Sequence, residues 1–146
     1  AAHKDIAKVI SNIQSHTTSN PCSISQYASV VGLTGDQTPV YKMKEQFEKR
    51  RSYMVETINS IKGLSCRKPK GAFYIMVNIS KLKGTTIGGV YINSSLDLAK
   101  VLLDEGKVAV IPGIGFGDDN YIRLSYATSM ENIEEGLKRI KAVVEN

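Results

Sequence analysis

Apolar positions recur at two different periods along this chain, and the change from one to the other falls near Gly63. Before it, spacings of three and four residues dominate, the repeat of an α-helix that buries one face. In residues 4–14, Ile6, Val9, Ile10 and Ile13 define an amphipathic helix of about three turns. The polar run SHTTSNP then interrupts the pattern. A second helix is predicted after Pro21, a residue suited to a first helical turn. It carries Ile24, Tyr27, Ala28 and Val31 and stops within GLTGDQT. A long helix over residues 39–61 follows, with Val40, Met43, Phe47, Met54, Ile58 and Ile61 on one stripe. At about 1.5 Å per residue it exceeds 30 Å, a length that suits a helix linking two packed units.

Beyond Gly63 the period shortens to two. Strands are predicted in GAFYIMVNI, KVAVI and NYIRLSYA, with a GTTIGG loop and a helix over residues 95–105 between the first two. Thr128 and Glu131 have the T-x-x-E spacing of a capping box for a last helix carrying Ile133, Leu137, Ile140 and Val144. The order β-α-β-β-α after a long helix predicts an α/β chain ending in a small α+β domain. Its sheet should be mixed or antiparallel, with helices on one face.

Composition sets limits without choosing a function. The chain has 146 residues, 42% hydrophobic and 23% charged, as in an ordinary globular protein with a real core. No apolar run reaches the roughly 18 residues of a membrane helix, and the N-terminus lacks the sections of a signal peptide. A cytoplasmic location with no membrane partner is therefore expected. The formal net charge of +5 permits an acidic partner, but the basic residues alternate with acids in KMKEQFEKRR and IEEGLKRIKAVVEN. That pattern belongs to solvated helix faces. A basic nucleic-acid module stays open as an outsider, with Tyr121 as a possible stacking aromatic, although no nucleic-acid partner is expected. Cys22 and Cys66 have neither zinc nor paired-thiol spacing, and only His3 and His16 accompany them, so no metal site is expected.

Two features carry chemistry. In IPGIGFGDDN the glycines stand at 113, 115 and 117, not in a dinucleotide fingerprint, and they lead into a strand rather than a helix N-terminus. Either this is an ordinary loop, or its glycines admit a ligand close to the backbone. In NYIRLSYATS, Ile122, Leu124 and Tyr126 share one face, while Arg123 lies on the other as the strand's only charge. A guanidinium offers a planar fork that grips a carboxylate or phosphate through two parallel bonds.

Taken in order, QSHTTSNPCSISQYASV, KGAFYIMVNIS, VAVIPGIGFG and YIRLSYATSMENIEEGLKRI resemble the C-terminal part of class I aminotransferases that use pyridoxal 5'-phosphate. The similarity is closest to bacterial-type aspartate aminotransferases. It implies the C-terminal part of the fold-type I pyridoxal-phosphate transferase fold. Residues 1–38 would be the tail of the large cofactor-binding domain, and residues 39–146 the linking helix and small domain. It implies that Arg123 binds the substrate α-carboxylate and that Phe73 borders the same pocket. Ser19 and Asn20 would approach the cofactor phosphate of a neighbouring subunit in a homodimer, although a helix cap before Pro21 explains them equally. Ser15 stands where one branch of the family has an arginine for a second carboxylate. No serine-lysine motif followed by Trp-Arg occurs, and there is no tryptophan. The Schiff-base lysine is thus expected upstream, no catalytic residue lies in this chain, and the chain is expected to be an inactive fragment of a longer enzyme. The implied substrates are an amino acid, aspartate first, and a 2-oxo acid. Related readings are an aromatic or alanine aminotransferase, a lyase on the same fold, or a non-catalytic regulator.

Overall fold

The computed structural model describes residues 1–146 as two compact units, Ala1–Tyr41 and Lys42–Asn146. In the first, α1 (Lys4–Thr17) and α2 (Ser23–Thr34) bury no residue. The stripe Ile6, Val9, Ile10 and Ile13 is at least half exposed, and Ile24, Tyr27 and Val31 of α2 are more so. The helical period is thus realised, but these apolar faces are exposed.

Helix α3 (Thr38–Ser60) starts where the Asp36 carboxylate accepts from the Thr38 amide at 2.9 Å and its hydroxyl at 2.7 Å. Its predicted stripe is buried only in part. Val40 and Met43 are exposed, Phe47 is half-buried, and Met54 and Ile58 are buried, as is Ile61 just beyond the helix.

In the second unit the strands β1 (Ser65–Cys66), β2 (Tyr74–Asn78), β5 (Ile111–Pro112) and β6 (Tyr121–Ser125) form a sheet of order β1-β2-β6-β5. Every neighbouring pair is antiparallel, which decides between the mixed and antiparallel expectations. The faces separate as the alternation predicts. Ile75, Val77, Ile122 and Leu124 join one core with Met54 and Ile58 of α3. Leu98, Val101 and Leu102 of α4 (Ser95–Asp104) complete it, with Ile133, Leu137 and Ile140 of α5 (Met130–Glu145). Burying each such aliphatic side chain contributes about 1.5–3 kcal/mol. The helices therefore cover one face, and the opposite face of the sheet stays open.

Three local expectations are corrected. GTTIGG is not a plain loop: β3 (Thr86–Ile87) and β4 (Val90–Tyr91) pair as a hairpin. Its Gly88-Gly89 turn has φ of 56° and 76°, the double positive φ of a type I′ connection. KVAVI yields strand only at Ile111, because the Val108 amide first closes α4 by donating to the Leu102 carbonyl at 3.0 Å. The last helix is capped by Ser129, whose hydroxyl accepts from the Asn132 amide at 3.2 Å. Thr128 instead accepts from the Asn132 side chain. A true capping box occurs at α4, where Ser94 and Asp97 satisfy each other's backbone amides.

Candidate functional site

Strand β6 lies between β2 and β5, so Arg123 faces Met76 on one side and Ile111 on the other. Its neighbours Ile122 and Leu124 are locked into the core, which turns the guanidinium to the open face. There it is held between two aromatic rings. The Cζ atom lies 5.2 Å from the centroid of Tyr74 and 4.8 Å from that of Phe116. Tyr74 comes from β2, diagonally across the ladder from Arg123. Phe116 comes from a short 3₁₀ turn, Gly113–Phe116, in the glycine-rich segment.

Ring quadrupoles attract a cation over their faces, so this pairing orients the guanidinium and limits its rotamers. The N–H donors radiate in the guanidinium plane, and that edge is the geometry a carboxylate needs. None of the chain's ion pairs involves Arg123. The arginine hydrogen bonds within the chain come from Arg51 and Arg139 instead. Arg123 is thus an oriented cation on an uncharged strand, without an internal counter-ion.

Phe73 extends the aromatic row. Its ring meets Tyr74 edge-on at 5.7 Å and is 53% exposed. Its carbonyl accepts from the Tyr126 amide at 2.8 Å and the Ser125 hydroxyl at 3.3 Å, which fixes its backbone to the strand carrying Arg123. The same open face has a hollow of about 690 Å³ lined by Tyr74, Met76, Asn78, Tyr121 and Arg67, among others. Arg123 does not line it; it stands on the far side of Tyr74 and Met76. The half-buried Cys66 thiol also borders the hollow, and burial pushes its pKa up.

Ser19 and Asn20 belong to the other unit. Ser19 has φ of 57° and its amide donates to the Gln14 carbonyl at 2.9 Å, so it closes α1 in the left-handed conformation. Neither residue caps α2, whose N-cap is Cys22. The helix-cap explanation of these two positions is therefore corrected.

Of the glycines, Gly113 is required by the chain's own packing: a side-chain carbon would collide with the carbonyl oxygens of Tyr121 and Asp118. Gly117 has φ of 87°, while Gly115 meets nothing. Beside this turn, the Asp119 carboxylate collects three donors. Its Oδ1 accepts from the Ser95 amide at 2.9 Å and the Ser95 hydroxyl at 2.7 Å, and its Oδ2 from Lys83 Nζ at 2.7 Å. Ser95 Oγ in turn accepts from the Ile114 amide at 3.3 Å. The Lys83 bond first, then those from Ser95, draw the Asp119 carboxyl down to a pKa of about 2. Tyr74, Phe116 and Asp119 escaped the sequence reading. The only signals were an aromatic beside Phe73 and another within the glycine run.

The chain thus combines an antiparallel sheet, helices on one of its faces, and on the other an arginine flanked by two aromatic rings. The chain belongs to the aminotransferase class I and II family, whose model matches residues 1–140. It is 45% identical to a probable aspartate/prephenate aminotransferase of Rickettsia bellii over 142 residues, covering 97% of this chain and 36% of the relative. Against the aspartate aminotransferase of Bacillus subtilis the identity is 42%, with 99% and 36% covered. The crystal structure of an aspartate aminotransferase from Rhizobium meliloti superimposes with a TM-score of 0.89 at 40% identity, over 97% of this chain and 36% of that one. The expected fold, the C-terminal part of the fold-type I transferases, is the one found. The chain spans about a third of the length of the relatives it matches. No helix is long and apolar enough to cross a membrane.

Proposed function

We propose that this chain is the C-terminal part of a pyridoxal-phosphate aminotransferase that exchanges an amino group between aspartate and a 2-oxo acid. Its task is to hold the substrate α-carboxylate on Arg123. The observation that carries this reading is the aromatic-flanked guanidinium, whose donors have no partner within the chain. The names of relatives at 45% and 42% identity support aspartate as the amino donor. Ser15, where a second-carboxylate arginine would stand, donates to the Asn12 carbonyl at 2.8 Å. The distal carboxylate is then held from outside this chain.

The fit to pyridoxal phosphate is partial. No serine-lysine motif followed by Trp-Arg is present, so the group's reactive end belongs to the upstream polypeptide. Exposed Ser19 and Asn20, just before the α2 N-terminus, suit the rim of a phosphate in a homodimer. When bound, the cofactor supplies the electron sink for chemistry at the substrate α-carbon. This chain's residues do something simpler. Arg123 neutralises and orients the carboxylate, Tyr74 and Phe116 hold the guanidinium plane, and Phe73 borders the carboxylate site. No residue here moves a proton.

Residues 1–38 are read as the tail of the large domain and 39–146 as linking helix and small domain. The division into two units and the uncovered faces of α1 and α2 support that reading. A cytoplasmic enzyme fits the free cysteines.

The test is Arg123→Ala and Arg123→Lys in the complete polypeptide. Alanine should cost about 2–5 kcal/mol of substrate binding, the range for unpairing a desolvated charge pair. Lysine should also weaken binding, because it lacks the fork. Unchanged substrate affinity in both variants would sink the proposal.

A further inference from the structure

The carboxylate of Asp119 joins three segments that are remote in sequence. It takes both the amide and the hydroxyl of Ser95, a fully buried residue at the start of α4, and the ammonium of Lys83 from the segment before β3. The Ser95 hydroxyl passes the connection on by accepting from the Ile114 amide. Ile114 lies within the 3₁₀ turn that ends at Phe116. The other end of this turn is closed by Asp118, whose amide donates to the Gly113 carbonyl at 3.3 Å. The turn is therefore pinned on both sides, and what it presents is one aromatic ring over one guanidinium.

Phe116 is 52% exposed and belongs to no part of the hydrophobic core, so packing does not hold it in place. The hydrogen-bonded anchor behind it does. A buried serine with a charged partner is retained at a cost in desolvation unless each of its polar groups is satisfied. Here the amide and the hydroxyl of Ser95 are both satisfied, and each of these bonds leads to the 113–119 segment.

We propose that Asp119, acting with Ser95, is a positioning residue for the carboxylate site: it sets the 113–119 segment so that Phe116 lies on Arg123 and holds the guanidinium plane toward the substrate. This rests on the reading of Arg123 as the α-carboxylate ligand, and the two are separable by experiment.

The experiment is a double-mutant cycle in the complete polypeptide, with KM for amino acid and 2-oxo acid and the melting temperature as parallel readouts. Asp119→Ala and Phe116→Leu should each raise both KM values about tenfold, and the double variant should be no worse than the worse single one, since both remove one interaction. Ser95→Ala should reproduce a part of the effect and Ser95→Thr should restore it. A purely structural brace would lower the melting temperature without this non-additivity. Strictly additive effects on KM, or an unchanged KM in Asp119→Ala, would overturn the proposal. Should Asp119→Ala not fold, Asp119→Asn carries the same cycle. If Arg123→Ala also leaves KM unchanged, the carboxylate reading itself falls; if only Asp119→Ala and Phe116→Leu are silent, that reading stands and this one fails.

Discussion

The Tyr126 hydroxyl donates to the Ala72 carbonyl at 2.9 Å across 54 positions of sequence. Ala72 has φ of 63°, a left-handed conformation that a residue with a Cβ adopts at some cost. Tyr126 is 1% exposed, its ring meets Phe47 edge-on at 5.9 Å, and burial pushes its pKa up. The buried phenol thus anchors a strained link immediately ahead of Phe73.

Tyr126→Phe keeps the ring and removes the hydroxyl, leaving the Ala72 carbonyl without that donor. A loss of about 1 kcal/mol is expected from denaturant titration, the usual net worth of one such bond. Backbone amides from Gly71 to Tyr74 should exchange faster than in the parent, and those of α5 should not.

Expressed as it stands, the 146-residue chain should divide in hydrogen exchange. The core lies wholly in Lys42–Asn146, whereas α1 and α2 bury nothing. Amides of the sheet, α4 and α5 should be the slowest and those of residues 4–34 the fastest. Mixed with pyridoxal phosphate and aspartate, the chain should show no transamination. A cofactor absorbance band that survives dialysis and responds to aspartate would contradict this.

Asp119 gives a pH dependence with a definite sign. Its carboxyl titrates at about 2 in the fold and near 3.9 in an unfolded chain. A depressed folded value stabilises the fold fully above the unfolded pKa and loses that contribution as pH falls through the folded one. The stability gap between parent and Asp119→Asn should therefore be constant above about pH 5 and close between about pH 4 and pH 2. Denaturant midpoints stepped through that window check it.

Two glycines in one turn should respond unequally to alanine. Gly113→Ala places a carbon against two carbonyl oxygens, and a loss near the upper end of the roughly 1–3 kcal/mol typical of overpacking is expected. Gly115 has open space around it, so Gly115→Ala should change stability by less than about 0.5 kcal/mol. Thermal melts of both variants suffice.

Much of this is legible in the sequence alone, because periodicity is a local property. The alternation at Ile122, Leu124 and Tyr126 correctly gave the buried face of β6, and the lone charge on its other face singled out Arg123. The helical stripes of α1 and α2 were equally clear, yet a stripe says that a face is apolar and not what covers it. The Gly88-Gly89 hairpin had a visible turn signal but strands of only two residues, too short to show alternation. Asp119 had no sequence signal at all. Its partners Ser95 and Lys83 lie 24 and 36 positions away, and only the fold brings them together.

The pairing of β2 with β6 has a consequence for synthesis. Tyr74 must align with Ser125, so the central ladder waits until residues 121–125 have left the ribosome. Contacts of such separation form late, while the Gly88-Gly89 hairpin and the capped α4 between them can form locally. A ribosome stalled before β6 should therefore display a nascent chain with helices and the β3-β4 hairpin but without the central ladder, its valines and isoleucines open to chaperones.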